Sequence, residues 1–255
     1  MDVGSVPCAL PNAQLFMIKQ ILIFIVSILP TMAFCQTLSA TYAVTQDINV
    51  VLGGKEKSIS LNLKGHFYLK GQRSIYWESP DYLSKYPKGQ IVVPTKSGNE
   101  IYALNTDTMQ MLYYVDLNNL LMRVKPASGL PVEEHKIEKE RVLNWEYKSE
   151  TKTVNGLKCQ LATATDQWKV WFCPDIPSRT GLFNISGLPG LVVEAELIPL
   201  NAHYTLQSYD TQSDIPEYVF EPGEFRTLAK KESVKTTPEQ KDKTKKKQEI
   251  IKNNN

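Results

Sequence analysis

The side chains able to do chemistry in this 255-residue chain are few and scattered. His66, His135 and His203 stand far apart, whereas a zinc site gathers His or Cys ligands at short spacing. No metal-ligating residue is assigned. A serine hydrolase would carry its nucleophile on a Gly-x-Ser-x-Gly elbow, and that string is absent. Neither the Gly-x-Gly-x-x-Gly pattern nor the Gly-Lys-Ser/Thr phosphate loop occurs, so no cofactor is implied. Asp175 with Glu194 or Glu196 offers the carboxylate pair a glycosidase needs. Yet Glu194 and Glu196 alternate with Val193, Ala195 and Leu197, the pattern of a solvent-facing strand surface. No catalytic residue is assigned. Trp168 and Trp171 are a possible ligand platform, but their odd separation points them to opposite faces of a regular strand. Packing is the alternative reading for both rings.

The chain's beginning reads as an export signal. Lys19 supplies a short positive region, Ile21–Leu29 an apolar stretch, and Ala33-Phe34-Cys35 a cleavage site. The apolar stretch is shorter than the ~20 residues a spanning helix requires. Residues 1–35 are therefore read as a leader with its start at Met17, leaving a mature chain from Gln36 with no transmembrane segment. A lipoprotein, acylated at Cys35, is the competing reading; the bulky Phe34 before it argues against that.

Cys159 and Cys173 are the cysteines left after the leader, and two cysteines in an oxidising compartment suggest one bridge. Leu157–Thr165 and Trp168–Cys173 are β-like runs around a polar turn, Thr165-Asp166-Gln167. A three-residue loop there pairs Ala164 with Trp168, and the same register sets Cys159 opposite Cys173. Opposed residues in a non-hydrogen-bonded antiparallel pair lie ~4.5 Å apart at Cα, within disulfide reach. Two buried thiols are the other possibility.

The elements that would position these residues are strands. Leu38, Ala40, Tyr42 and Val44 alternate with polar residues, as do Ile59, Leu61, Leu63, Phe67 and Leu69. Gly53-Gly54 between them suits a hairpin turn. Shorter runs follow at 74–78, 100–103, 111–115 and 120–124. Alternation returns at Leu143, Trp145 and Tyr147, continues through the cysteine hairpin and 191–197, and ends near 203–209. No heptad and no long amphipathic helix interrupts them. About ten strands over residues 36–229 predict a mainly β fold, one curved antiparallel sheet of bowl or half-barrel form. From 230 to 255 nine lysines and four acids make a polar tail, disordered or helical, unable to bury a face. Residues 36–229 hold 19 bases and 22 acids, which gives no basic stripe for a nucleic acid.

Gly187-Leu188-Pro189-Gly190-Leu191 is a structural motif in this reading. Pro189 fixes φ near −65° and Gly190 follows where a type II turn needs positive φ, with Leu188 and Leu191 as anchors. Together with Asn155–Cys159, Trp168–Trp171 and Pro174-Asp175-Ile176-Pro177, this motif resembles the GLPGLI family of exported bacterial proteins, with Val192 in place of the final Ile. That resemblance covers residues 36 to about 210. It implies a relation to the bowl-like N-terminal domain of certain secreted bacterial peptide N-glycanases, hence a curved sheet, and no activity, cofactor or catalytic residue.

Two function classes remain. One is a noncatalytic binding or accessory protein of the periplasm or cell exterior, holding an apolar or polymeric ligand or docking to an outer-membrane or other cell-envelope protein. The other is a hydrolase of glycans or peptides with a dispersed site. Converging carboxylates or histidines of perturbed pKa in a cleft would favour the hydrolase; a filled concavity would oppose it.

Overall fold

The computed structural model describes residues 37–125, 130–137, 143–183 and 185–225. The expectations for the leader and the Lys-rich tail fall outside them. The described residues form thirteen strands: β1 (Thr37–Leu52), β2 (Lys55–Lys70), β3 (Arg73–Ser79), β4 (Gln90–Thr95), β5 (Gly98–Ala103), β6 (Gln110–Asp116) and β7 (Leu121–Lys125) come first. Then follow β8 (Glu133–Lys136), β9 (Glu146–Val154), β10 (Leu157–Ala164), β11 (Trp168–Cys173), β12 (Leu191–Leu197) and β13 (Ala202–Asp210). Among the described residues the helical elements are short 3₁₀ turns, such as Asp81–Ser84 and Glu217–Phe220.

Eleven strands form one antiparallel sheet in the order β8-β7-β6-β3-β2-β1-β13-β12-β11-β10-β9, which stays open. β4 and β5 pair separately as a hairpin. The sequence pattern left out β4 and β8. β4 contains Pro94, which removes a ladder donor, and β8 is four residues long with mostly exposed, charged side chains.

Alternation dictates the two faces. Leu38, Ala40, Tyr42 and Val44 of β1, Leu61, Leu63, Phe67 and Leu69 of β2, and Ala202, Tyr204 and Leu206 of β13 are all buried in one cluster. Gly53 and Gly54 both take positive φ (63° and 70°), so β1 turns directly into β2. The opposite face of β3 and β6, with Ile75, Leu112 and Tyr114, is covered by Ile215, Phe220 and Phe225 of the C-terminal segment. Lys70 and Arg73 hold that segment through Glu217 at 2.9 and 2.7 Å.

The curvature follows from one ring. Phe183 lies 5.3 Å from Tyr113 of β6 and 5.8 Å from Trp168 of β11, between ring centroids. Those strands are six places apart in the sheet, which would separate them by about 29 Å if the sheet were flat. Their rings are no more than about 11 Å apart, so the sheet must curl around Phe183. Tyr76 of β3 and Tyr204 of β13 complete the ring cluster at 4.9 and 5.4 Å. The segment between β11 and β12 is thus the filling of the bowl, with Ile176, Leu182, Ile185 and Leu188 buried beside Phe183.

Candidate functional site

The bowl filling is built around the Gly187–Leu191 motif. The Gly181 N–H donates to Ile185 O (2.8 Å), the Gly187 N–H to Arg179 O (3.0 Å) and the Leu191 N–H to Ile176 O (2.8 Å). The Trp145 indole N–H donates to Ser186 O at 2.8 Å, and the Tyr147 hydroxyl reaches Gly187 O at 3.3 Å. Leu188 and Leu191 are buried anchors, as the sequence suggests.

The turn geometry differs from the type II expectation. Gly187, not Gly190, has positive φ (84°). Gly190 is needed for a different reason: a Cβ there would sit 2.1 Å from the carbonyl oxygen of Cys173 and 2.8 Å from Cα of Pro174. The loop folds back onto the end of β11, where a bulge between Trp171 and Phe172 breaks the ladder with β12. Close backbone approach therefore selects glycine at 190, and handedness selects it at 187.

The hairpin register holds: Ala164 pairs with Trp168, and the ladder runs to Gln160 opposite Phe172. Left-handed Thr165 and Asp166 make the loop (φ 26° and 50°). Cys159 and Cys173 follow that last pair, both buried, and their sulfurs are unbonded in the structure. Burial pushes the Cys159 thiol pKa upward, and the neighbouring Cys173 adds to it.

Trp168 and Trp171 do not meet. Trp168 packs in the core against Phe183 and Tyr204, while Trp171 lies half-buried on the outer face under the Lys152 ammonium, 4.4 Å from its ring centre. Glu194 pairs with the same Lys152, Glu196 sits opposite His203 on the outer ladder, and Asp175 is exposed. His66 stacks on Trp77 outside the bowl (5.1 Å) and His135 pairs with Glu133 (3.3 Å). Among the described residues no three His, Cys, Asp or Glu side chains group to hold a metal.

Besides an outer-face hollow of about 280 Å³ lined by Lys152, Trp171, Glu194, Glu196 and His203, two cavities open among the described residues. The larger, about 740 Å³, lies between the inner faces of β6, β7 and β8 and residues 185–189 of the filling. Its wall is apolar: Val115, Leu117, Met122, Val124, Ile185 and Leu188. His135 and the exposed Arg179 are the basic groups on its lining. The volume is within the roughly 300–1,000 Å³ usual for small-ligand sites.

The smaller, about 230 Å³, lies beneath the β4–β5 hairpin, with the carboxyl of Glu78 on its lining. Glu78 is 4% exposed. Burial raises its pKa from 4.5 to about 7, although hydroxyl donors at Tyr76 and Tyr204 pull the other way. The Tyr76 hydroxyl donates to Oε1 at 2.9 Å. A bulge in β6 opposite Trp77 sets this corner, and Met111 in it adopts φ 50°. Sequence reasoning passed over Glu78. The one signal for it is the two-residue spacing from Tyr76, which puts both on one face of β3; both faces of that strand mix polar and aromatic letters, so the sequence does not say which is buried.

The described residues define an all-β bowl with a plugged concavity, an apolar ligand-sized chamber and, at Glu78, a buried carboxyl on a second cavity. No protein-family profile matches the chain, and no curated protein matches it. Among solved structures it is similar to PNGF-II in two crystal forms, at 12% identity and TM-scores of 0.43 and 0.42. Those likenesses cover 72% and 74% of this chain, which spans 30% of the PNGF-II chain. A DUF1329 family protein from Desulfovibrio piger is similar at 10% identity and TM-score 0.31, over 73% of this chain and 90% of that one.

Proposed function

We propose that this chain is an exported, noncatalytic binding or accessory module of the bacterial cell envelope, of the GLPGLI type, that holds an apolar ligand in the larger cavity. The observation that carries this reading is the cavity itself. An apolar hollow of about 740 Å³ beside an otherwise packed core exposes surface that a ligand would cover. Arg179 at the rim suits an anionic head on an apolar body. In an oxidising compartment Cys159 and Cys173 would form the bridge their register allows.

The hydrolase reading is favoured most by the carboxyl of Glu78, with a pKa about 7, in the range of a general acid. Two-carboxylate chemistry nevertheless needs a partner, and Glu78 is the single carboxyl on its cavity's lining.

The test is titration of delipidated protein with the fluorescent apolar probe N-phenyl-1-naphthylamine, alongside Met122→Trp, which fills the cavity. Saturable binding displaced by palmitate and lost in Met122→Trp supports the reading. Equal probe binding by both proteins, or none by either, sinks it.

A further inference from the structure

We propose that the cavity at Glu78 is a binding site for a small primary amine, held as its ammonium ion by the Glu78 carboxylate with its alkyl part against Ile48, Leu61, Leu63 and Met111. This site is separate from the apolar chamber and does not depend on what that chamber holds.

Construction of the corner is specific. Gly65 of β2 gives room to the Tyr76 hydroxyl, because a Cβ at 65 would lie 2.8 Å from that oxygen. The hydroxyl in turn reaches Glu78. The left-handed Met111 and its bulge re-aim β6 at the same point, a kind of local strain that clusters at ligand sites.

Charge is what the corner lacks. Glu78 has tyrosine hydroxyls prepared for its ionised form, but among the described residues no Lys, Arg or His is its ion-pair partner. A buried carboxylate without a counter-ion is strongly disfavoured, and a cationic guest would supply one.

Donor and acceptor placement selects the class of guest. Two donors on the lining are already spent inside the protein. The Tyr82 hydroxyl donates to Asn105 O at 2.5 Å, and the Gln110 amide donates to Asp107 O (2.9 Å) and Tyr82 Oη (3.1 Å). The charged group on the lining is Glu78, an acceptor when ionised, so anions are repelled. A bare metal ion would find a single carboxyl to offset its charge, with neutral amides and phenols beside apolar walls, a poor exchange for its water. An ammonium with a few carbons fits both the floor and the walls. Glu78, Leu61 and Leu63 are buried at the floor, while Tyr102 and Ala103 are exposed at the mouth.

Between pH 6 and pH 8 a single group in this corner titrates. The facing groups are Tyr76 of β3, Tyr204 of β13, Tyr113 of β6, Tyr42 of β1 and Tyr82 of the 3₁₀ turn. Burial pushes all five phenols above their ordinary value of 10, so they stay neutral. Glu78 itself passes through its pKa of about 7. Ammonium binding must therefore expel its proton at the acid end.

Isothermal titration of the purified protein with n-butylammonium chloride tests the assignment, with n-butanol and butyrate as controls. The expected result is binding about tenfold tighter at pH 8 than at pH 6, with proton release at pH 6 and no binding of either control. Glu78→Gln should weaken the amine by roughly thirtyfold or more and leave naphthylamine binding unchanged. Ala103→Trp, at an exposed position, should block the mouth without altering the melting temperature. No amine binding to ~100 mM, pH-independent binding, or unchanged affinity in either variant overturns the proposal.

Discussion

Replacing Glu78 by Gln should change the shape of the stability–pH curve. The native carboxyl has a pKa of about 7 against 4.5 when exposed, because burial outweighs the hydroxyl donors. Between these two values the native state binds the proton and the unfolded state has released it. Stability must therefore fall as pH rises through that window, the opposite of a salt-bridged carboxylate. Integrating the linkage from pH 5 to pH 8 gives about 2.5 kcal/mol, most of it lost before pH 7. Glutamine has nearly the same shape and does not ionise, so this component disappears in the variant. Guanidinium unfolding of both proteins at pH 5, 6, 7 and 8 isolates it, since all other groups cancel in the difference. The wild type should lose about 2.5 kcal/mol relative to Glu78→Gln across the series. A difference that stays constant across the four pH values would show that Glu78 is solvated or paired, and the argument from burial would be void.

Gly190→Ala should lower stability by about 3 kcal/mol or more, because the new methyl meets backbone atoms that cannot yield. Gly187→Ala should cost only about 1 kcal/mol, through its left-handed φ. Thermal melts that rank the two the other way would refute the close approach at 190. Phe183→Ala should cost about 3–5 kcal/mol, since it removes the ring on which four strands converge. Denaturant titration checks it, and a loss under 1 kcal/mol would mean the sheet holds its curl unaided. Unfolded, unreduced protein from an oxidising compartment should show no free thiol to iodoacetamide; alkylation of both Cys159 and Cys173 would reject the bridge.

Local order was legible in the letters. The three-residue loop at 165–167 and strict alternation on both sides were enough to set the β10–β11 register. The same period-two logic separated Trp168 from Trp171. What depends on distant parts of the chain was not legible. In the letters Gly190 reads as a turn residue, because its role is set by Cys173, seventeen residues away and brought near by the return of the loop. Glu78 looked like an ordinary strand residue because its burial arises only after the sheet curls and the β4–β5 hairpin lies over it. Phe183, at the centre of the bowl, sits in a stretch with no periodicity, so nothing in its neighbours marks it as the point of convergence.

One pairing has a consequence for how the protein is made. β1 lies in the middle of the sheet, between its immediate successor β2 and β13, the last strand among the described residues. A nascent chain lacking residues 202–210 has two separate half-sheets, each ending in a bare strand that invites foreign pairing. The final junction forms only after residues 202–210 have emerged, so a premature stop a few residues upstream should yield an aggregating product, not a smaller working bowl.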